Sequence, residues 1–219
     1  MMKNSYFHLA LLIGLLCIVL PASAMTWYVD DGGEADFTTI QAAVSNASSG
    51  DTICVLSGTY SRFSVSKPYL TIQAIETDGP VTIDSSSGDV CIPLGTHQDA
   101  TGTTIDGFTF YCNGNDNGCD PIHLGVYGPA NDSIIRNCTF EGLTLSVCVN
   151  AHNVTVENNI FANSGTPGRL IHSLSTGQYV IPDVSINIVN NTFTNVSSKY
   201  GHIALMDTTG NCNIINNTF

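Results

Sequence analysis

Five short strings in this chain share one wording and each ends on phenylalanine. Thr104 to Phe110 reads TIDGFTF, Ile134 to Phe140 reads IIRNCTF, and Val154 to Phe161 reads VTVENNIF. Asn187 to Phe193 reads NIVNNTF, and Asn213 to Phe219 reads NIINNTF. The gaps between successive Phe are 30, 21, 32 and 26 residues. Five positions before each Phe stand Ile105, Ile135, Val156, Ile188 and Ile214; three before stand Gly107, Asn137, Asn158, Asn190 and Asn216. Alternation around the Ile and the Phe has a period of two, which means short strands with one buried face. Helix does not fit, because Val, Ile and Thr crowd a segment broken by Asn-Asn or Asp-Gly.

A repeat of 20 to 30 residues made of strands and turns is the signature of a solenoid. Leucine-rich repeats would show several Leu and a helical stretch in each unit. A propeller blade needs four strands and a longer period. The all-β solution that fits is a parallel β-helix, one coil per repeat, with coils stacked about 4.8 Å apart. Equivalent residues then form columns. Ile and Phe fill the interior, and Asn137, Asn158, Asn190 and Asn216 are predicted to form one stacked, inward amide ladder. Asn accepts the left-handed conformation of a tight bend, and stacked amides can bond from coil to coil. Uneven spacing places loops of different length outside a constant core.

The N-terminal part reads differently. Trp27 to Val29 is a strand. Phe37 to Val44 is a short helix with Ile40, Ala43, Val44 and Ala47 on one face, and it covers the apolar end that a solenoid must close. Thr52 to Leu56 is a buried strand, followed by strands at Leu70 to Ile72 and Val81 to Ile83. The stretch WYVDDGGEADFTTIQAAV…GDTICVLSGTY resembles the opening of pectate-lyase-like and pectin-methylesterase-like right-handed β-helices. The later I-x-N-N-x-F strings resemble the repeats of NosD-like and archaeal surface-protein β-helices. Together these motifs cover most of residues 26 to 219. The resemblance implies the fold and no single activity, since this fold carries many functions.

Residues 1–24 are expected to be a removable export signal. Lys3 provides a positive start, Leu9 to Leu20 is an apolar run of 12 residues, and Pro21-Ala22-Ser23-Ala24 ends in an A-x-A pattern. A span would need about 20 apolar residues; an uncleaved anchor is the alternative, since the two differ mainly in length. The domain is then 25–219, secreted or at the cell surface, with no membrane span in the mature chain. Its charge is −13, from five Lys and Arg against 18 Asp and Glu. Such a chain should repel nucleic acid and anionic membranes. The chain stops in mid-repeat at Phe219. The expectation is therefore a longer β-helix or another β-helix segment stacked on that end.

Chemistry is thinly signalled. Signatures of the esterase and polygalacturonase relatives are missing, apart from an Asp30-Asp31 pair in the cap. A pectate-lyase-like reaction would need a carboxylate cluster and a basic residue. Asp106, Arg136 and Glu157 share the column four before the Phe, and they should point outward on consecutive coils. That column is either a functional cluster or a surface ion-pair ladder. Arg169 and His172 complete the catalytic candidates. His123, His172 and His202 fall on strand-like stretches at offsets 13, 11 and 9 from the preceding Phe. No metal site is assigned and no cofactor is expected, with calcium left open. The stretch Cys112-Asn-Gly-Asn-Asp-Asn-Gly-Cys119 looks like a calcium loop, but Leu124 stands where a bidentate Glu is needed. A Cys112–Cys119 disulfide suits it better; the pairing of Cys54, Cys91, Cys138, Cys148 and Cys212 stays open. Sequons at Asn46, Asn131, Asn153 and Asn195 are glycosylation candidates, while those at Asn137, Asn190 and Asn216 are set aside as part of the ladder. The function expected is structural or carbohydrate-binding, with a polysaccharide lyase or hydrolase and a calcium-dependent adhesive module as alternatives.

Overall fold

The computed structural model describes residues 23–84, 92–94, 98–111, 122–125, 128–141, 147–149, 151–163, 171–173, 185–197, 201–205 and 210–219. The chain is a right-handed parallel β-helix. Its first sheet has eight strands: Thr26–Val29, Thr52–Leu56, Thr71–Ile75, Thr104–Asp106, Ile134–Arg136, Val154–Glu157, Ile186–Val189 and Cys212–Ile215. The second has six: Gly58–Ser61, Val81–Asp84, Thr109–Tyr111, Thr139–Glu141, Ile160–Ala162 and Thr192–Thr194. The third has five: Ile92–Leu94, Ile122–Leu124, Val147–Val149, Ile171–Ser173 and Ile203–Ala204. Strands of successive coils pair in parallel, so neighbours in a sheet lie one full turn apart in the chain.

The registers turn the repeat into columns. In the first sheet Ile53, Ile72, Ile105, Ile135, Val156 and Ile188 are successive partners, and all six are buried. In the second, Tyr60, Ile83, Phe110, Phe140, Phe161 and Phe193 align. From Phe110 to Phe193 the rings stack with centroids 5.0, 4.8 and 4.8 Å apart and planes within 8° of parallel. Phe219 continues the stack at 4.9 Å. These spacings equal the separation of paired strands, about 4.8 Å. The backbone ladder therefore sets the ring stack without any adjustment of the rings.

The asparagine ladder needs correcting by one residue. Asn137, Asn158, Asn190 and Asn216 have φ of 54°, 55°, 56° and 53° and are exposed. They form the bend between the first and second sheets, where Asn accepts left-handed backbone, but they do not point inward. Gly107 takes the same place at φ 82°, and a Cβ there would lie 3.3 Å from that of Ala74. The bend swings the chain so that the following residue faces the interior. The inward amide ladder is therefore Asn159 and Asn191, both buried, and Asn217, half-buried. Asn159 Oδ1 accepts the Cys138 N–H at 2.9 Å; Asn191 Oδ1 accepts the Asn159 N–H at 3.0 Å. Asn217 Oδ1 accepts the Asn191 N–H at 2.9 Å. Their amide groups donate to the carbonyls of Ile135, Val156 and Ile188 at 3.0, 2.9 and 2.8 Å. Phe108 and Cys138 fill this column on the two coils before it, both buried. Burial pushes the Cys138 thiol up to about 12, with the nearby Asp106 adding to the rise.

The helix at the N-terminal end spans Ile40–Asn46, three residues later than the sequence pattern suggests. Phe37 instead forms a parallel bridge with Val29, and Thr39 caps the helix, its side chain accepting from the Ala42 N–H at 3.2 Å. Ile40, Ala43, Val44 and Ala47 are buried, as the pattern requires. Lys67 Nζ closes the other end, donating to the carbonyls of Val44, Ser45 and Ala47 at 3.1, 2.7 and 2.7 Å. In the last described coil, Ile214, Ile215 and Phe219 are exposed.

Candidate functional site

Side chains that alternate with the buried columns line the outer face of the first two sheets. On the first sheet, partner positions align Gln73, Asp106, Arg136, Glu157 and Val189. Arg136 Nε lies 2.8 Å from Asp106 Oδ2, and Asn137 Nδ2 donates to Asp106 Oδ1 at 2.7 Å. Both oxygens of Asp106 thus accept hydrogen bonds, and the guanidinium is held beside a carboxylate. The guanidinium is thereby tied into an ion pair on the outer face of the first sheet.

The second sheet carries a column that the sequence reading passed over. Thr59, Thr82, Thr109, Thr139, Ile160, Thr192 and Thr218 are successive partners. The Thr hydroxyl groups of this column stand on the outer face, interrupted by Ile160, and from Thr109 onward the column lies one position before the Phe of each repeat. The signal was present in the recurring T-F ending of four strings. One position after the buried Ile83, Phe110 and Phe140, the residues Asp84, Tyr111 and Glu141 align, with Tyr111 44 % exposed. Asn163 Nδ2 donates to Glu141 Oε1 at 3.1 Å, and Asn195 Nδ2 donates to Asn163 Oδ1 at 2.9 Å. These amides continue the polar surface at the next bend. The result is a ridged face of hydroxyl, carboxylate and amide groups around one exposed aromatic ring.

The remaining candidates do not converge on it. His123 and His172 occupy equivalent places in the third sheet, each paired with Cys148, while Ala204 takes that place on the next coil. His202 lies elsewhere, stacked on Phe193 and Phe219 with ring centroids 5.6 Å away. Among the described residues no three His, Cys, Asp or Glu side chains gather as a metal site. Arg169, Cys112 and Cys119 lie outside the described residues. Cys54, Cys138 and Cys212 are free thiols. Of the sequon residues, Asn46, Asn137, Asn153, Asn190, Asn195 and Asn216 are exposed and Asn131 is half-buried. Burial therefore gives no reason to set Asn137, Asn190 and Asn216 aside.

One buried charged residue was also missed. Asp51 is 3 % exposed. Its Oδ1 accepts from the Met25 N–H at 2.8 Å; its Oδ2 accepts from Trp27 Nε1 at 2.9 Å and the Ser48 N–H at 2.8 Å. Burial alone would raise its pKa, but these donors and the charge of Lys67 outweigh it, so the carboxyl sits below its ordinary value.

No family model matches the chain, and no curated protein matches it. Among solved structures it is similar to the pectin methylesterase from Aspergillus niger, at 16% identity over 90% of this chain and 86% of that one, with a TM-score of 0.44. A second structure of that enzyme, in deglycosylated form, is similar at 15% identity over 91% of this chain and 86% of that one, with a TM-score of 0.37. An alginate lyase from Paenibacillus sp. str. FPU-7 is similar at 12% identity over 89% of this chain and 99% of that one, with a TM-score of 0.38. At such scores the activity has to be read from this chain's own residues.

Proposed function

We propose that this is an exported β-helix of the cell surface or extracellular space that binds a neutral polysaccharide without cleaving it. The observation that carries the reading is the Asp84–Tyr111–Glu141 column running beside the threonine column. An exposed ring offers an apolar face with a polar edge, hydroxyl groups can donate to and accept from sugar hydroxyls, and carboxylates can accept from them. Repetition at strand spacing suits an extended ligand lying along the helix axis. Charge argues for a neutral glycan. The mature chain carries −13, Arg136 is committed to Asp106, and Lys67 is committed to the helix end. A uronic-acid polymer would meet net repulsion.

Affinity electrophoresis in gels cast with xylan, mannan, cellulose derivatives, pectate or alginate tests the reading. Retardation by a neutral polymer, lost in Tyr111→Ala, is the expected result. Retardation by the uronates alone, or absorbance from an unsaturated elimination product, would replace binding with the lyase reading.

A further inference from the structure

The carboxylate of Asp51 faces the backbone nitrogen of Met25, the residue that would follow an export cleavage. Met25 and the residues just before it are exposed, whereas Asp51 is enclosed by Met25, Trp27 and Ser48. Thr52 N–H also donates to the Met25 carbonyl at 2.8 Å, so the chain is held from the residue just before the first strand. We infer that Asp51 is the receptor for an N-terminus made by processing. Peptidase-catalysed hydrolysis of the Ala24–Met25 bond leaves a carboxylate on Ala24 and an amine on Met25, and that amine takes up a proton and pairs with Asp51.

The chemistry favours the processed form. In the uncut chain Met25 offers Asp51 one neutral N–H. After cleavage the same nitrogen is an ammonium with three donors, and charge-assisted bonds of this kind are roughly twice as strong as neutral ones. A buried carboxylate gains most, because a buried charge is costly until it is paired. The other charge acting on Asp51 is Lys67, which is itself bonded to three helix carbonyls. Its place at the helix end leaves the Met25 nitrogen as the donor able to bring a full charge into direct contact. Processing thereby locks the covered end of the solenoid, and the precursor holds that end less firmly. This rests on the export reading and adds to it a receptor in the folded chain.

The test exports the full chain with its own leader, beside a variant carrying one extra Gly between Ala24 and Met25. The insertion moves the amine by one residue, about 3.8 Å along the chain. N-terminal sequencing should find Met25 first in the wild type. Reductive methylation at pH 7, followed by mass spectrometry, should modify the Met25 amine about tenfold more slowly than the inserted Gly amine, as a pKa raised by one unit requires. The melting temperature of the wild type should lie about 2–4 °C above that of the insertion variant. Asp51→Asn should abolish the difference in methylation rate. A chain that starts elsewhere overturns the inference together with the export reading. A chain that starts at Met25 but shows equal rates and equal melting overturns the role of Asp51 alone.

Discussion

Between Thr26 and Asp84 the second-sheet column reads Tyr60 then Ile83, whereas from Thr104 onward it becomes an unbroken pile of Phe rings. The two regions follow the same path by different means. The early coils rely on particular partners: Asp51 gathering three donors, Lys67 closing a helix end, and an edge-to-face Trp27–Phe37 contact at 5.6 Å. The later coils rely on identity: the same Phe recurs from Phe110, the same left-handed Asn from Asn137 and the same inward Asn from Asn159. Specific contacts are lost singly when one residue changes. A periodic stack spreads a defect to both neighbouring coils, because each member is the partner of two others.

That contrast can be broken experimentally. Phe161→Ala should be the most damaging change, costing about 3–5 kcal/mol as for other buried aromatics, measured by denaturant unfolding. It removes the partner of both Phe140 and Phe193. Asn191→Leu should cost about 2–4 kcal/mol, since it leaves the Asn159 N–H and the Val156 carbonyl without their buried partners. Asn158→Leu, one column away, should cost only about 1–2 kcal/mol, the strain of a left-handed residue with a Cβ. Equal losses from the two Asn changes would contradict the one-residue difference in facing.

The early coils make a pH prediction. The folded-state pKa of Asp51 is lowered, so its contribution is present above the unfolded value of about 3.9 and is lost as pH falls through the folded value. Wild-type stability should therefore drop below about pH 4, and Asp51→Asn should flatten that part of the profile in a denaturation series. Least of all should come Arg136→Gln. Its ion pair is partly exposed, at 40 % and 18 % of the two side chains, and pairs of this sort contribute under about 1 kcal/mol. A loss well beyond that in thermal unfolding would mark the Asp106–Arg136–Asn137 group as more than a surface contact.

The repeat was legible because it is written in residue type. Alternation at period two gave the strands, Phe spacing gave the coils, and the apolar face of Ile40, Ala43, Val44 and Ala47 gave the helix, which runs Ile40–Asn46, shifted by three residues at its start and two at its end. The outward column of Asp106, Arg136 and Glu157 followed from the same parity. The threonine column was equally available at one position before each Phe. Nothing in a local window signalled Asp51, whose donors at Met25 and Trp27 lie 26 and 24 residues away.

The sequence alone therefore determined the coil, its period and the sides taken by Ile and Phe, since burial follows side-chain chemistry and strand parity. It could not decide which Asn of each pair turns inward. Both residues accept left-handed backbone and both can bond through their amides, so composition and spacing leave the two assignments equivalent. The tertiary structure decides it through one dihedral. The first Asn takes the positive φ and stays in solvent, and the bend it makes carries the second across the wall, where the backbone N–H of the preceding coil waits unpaired.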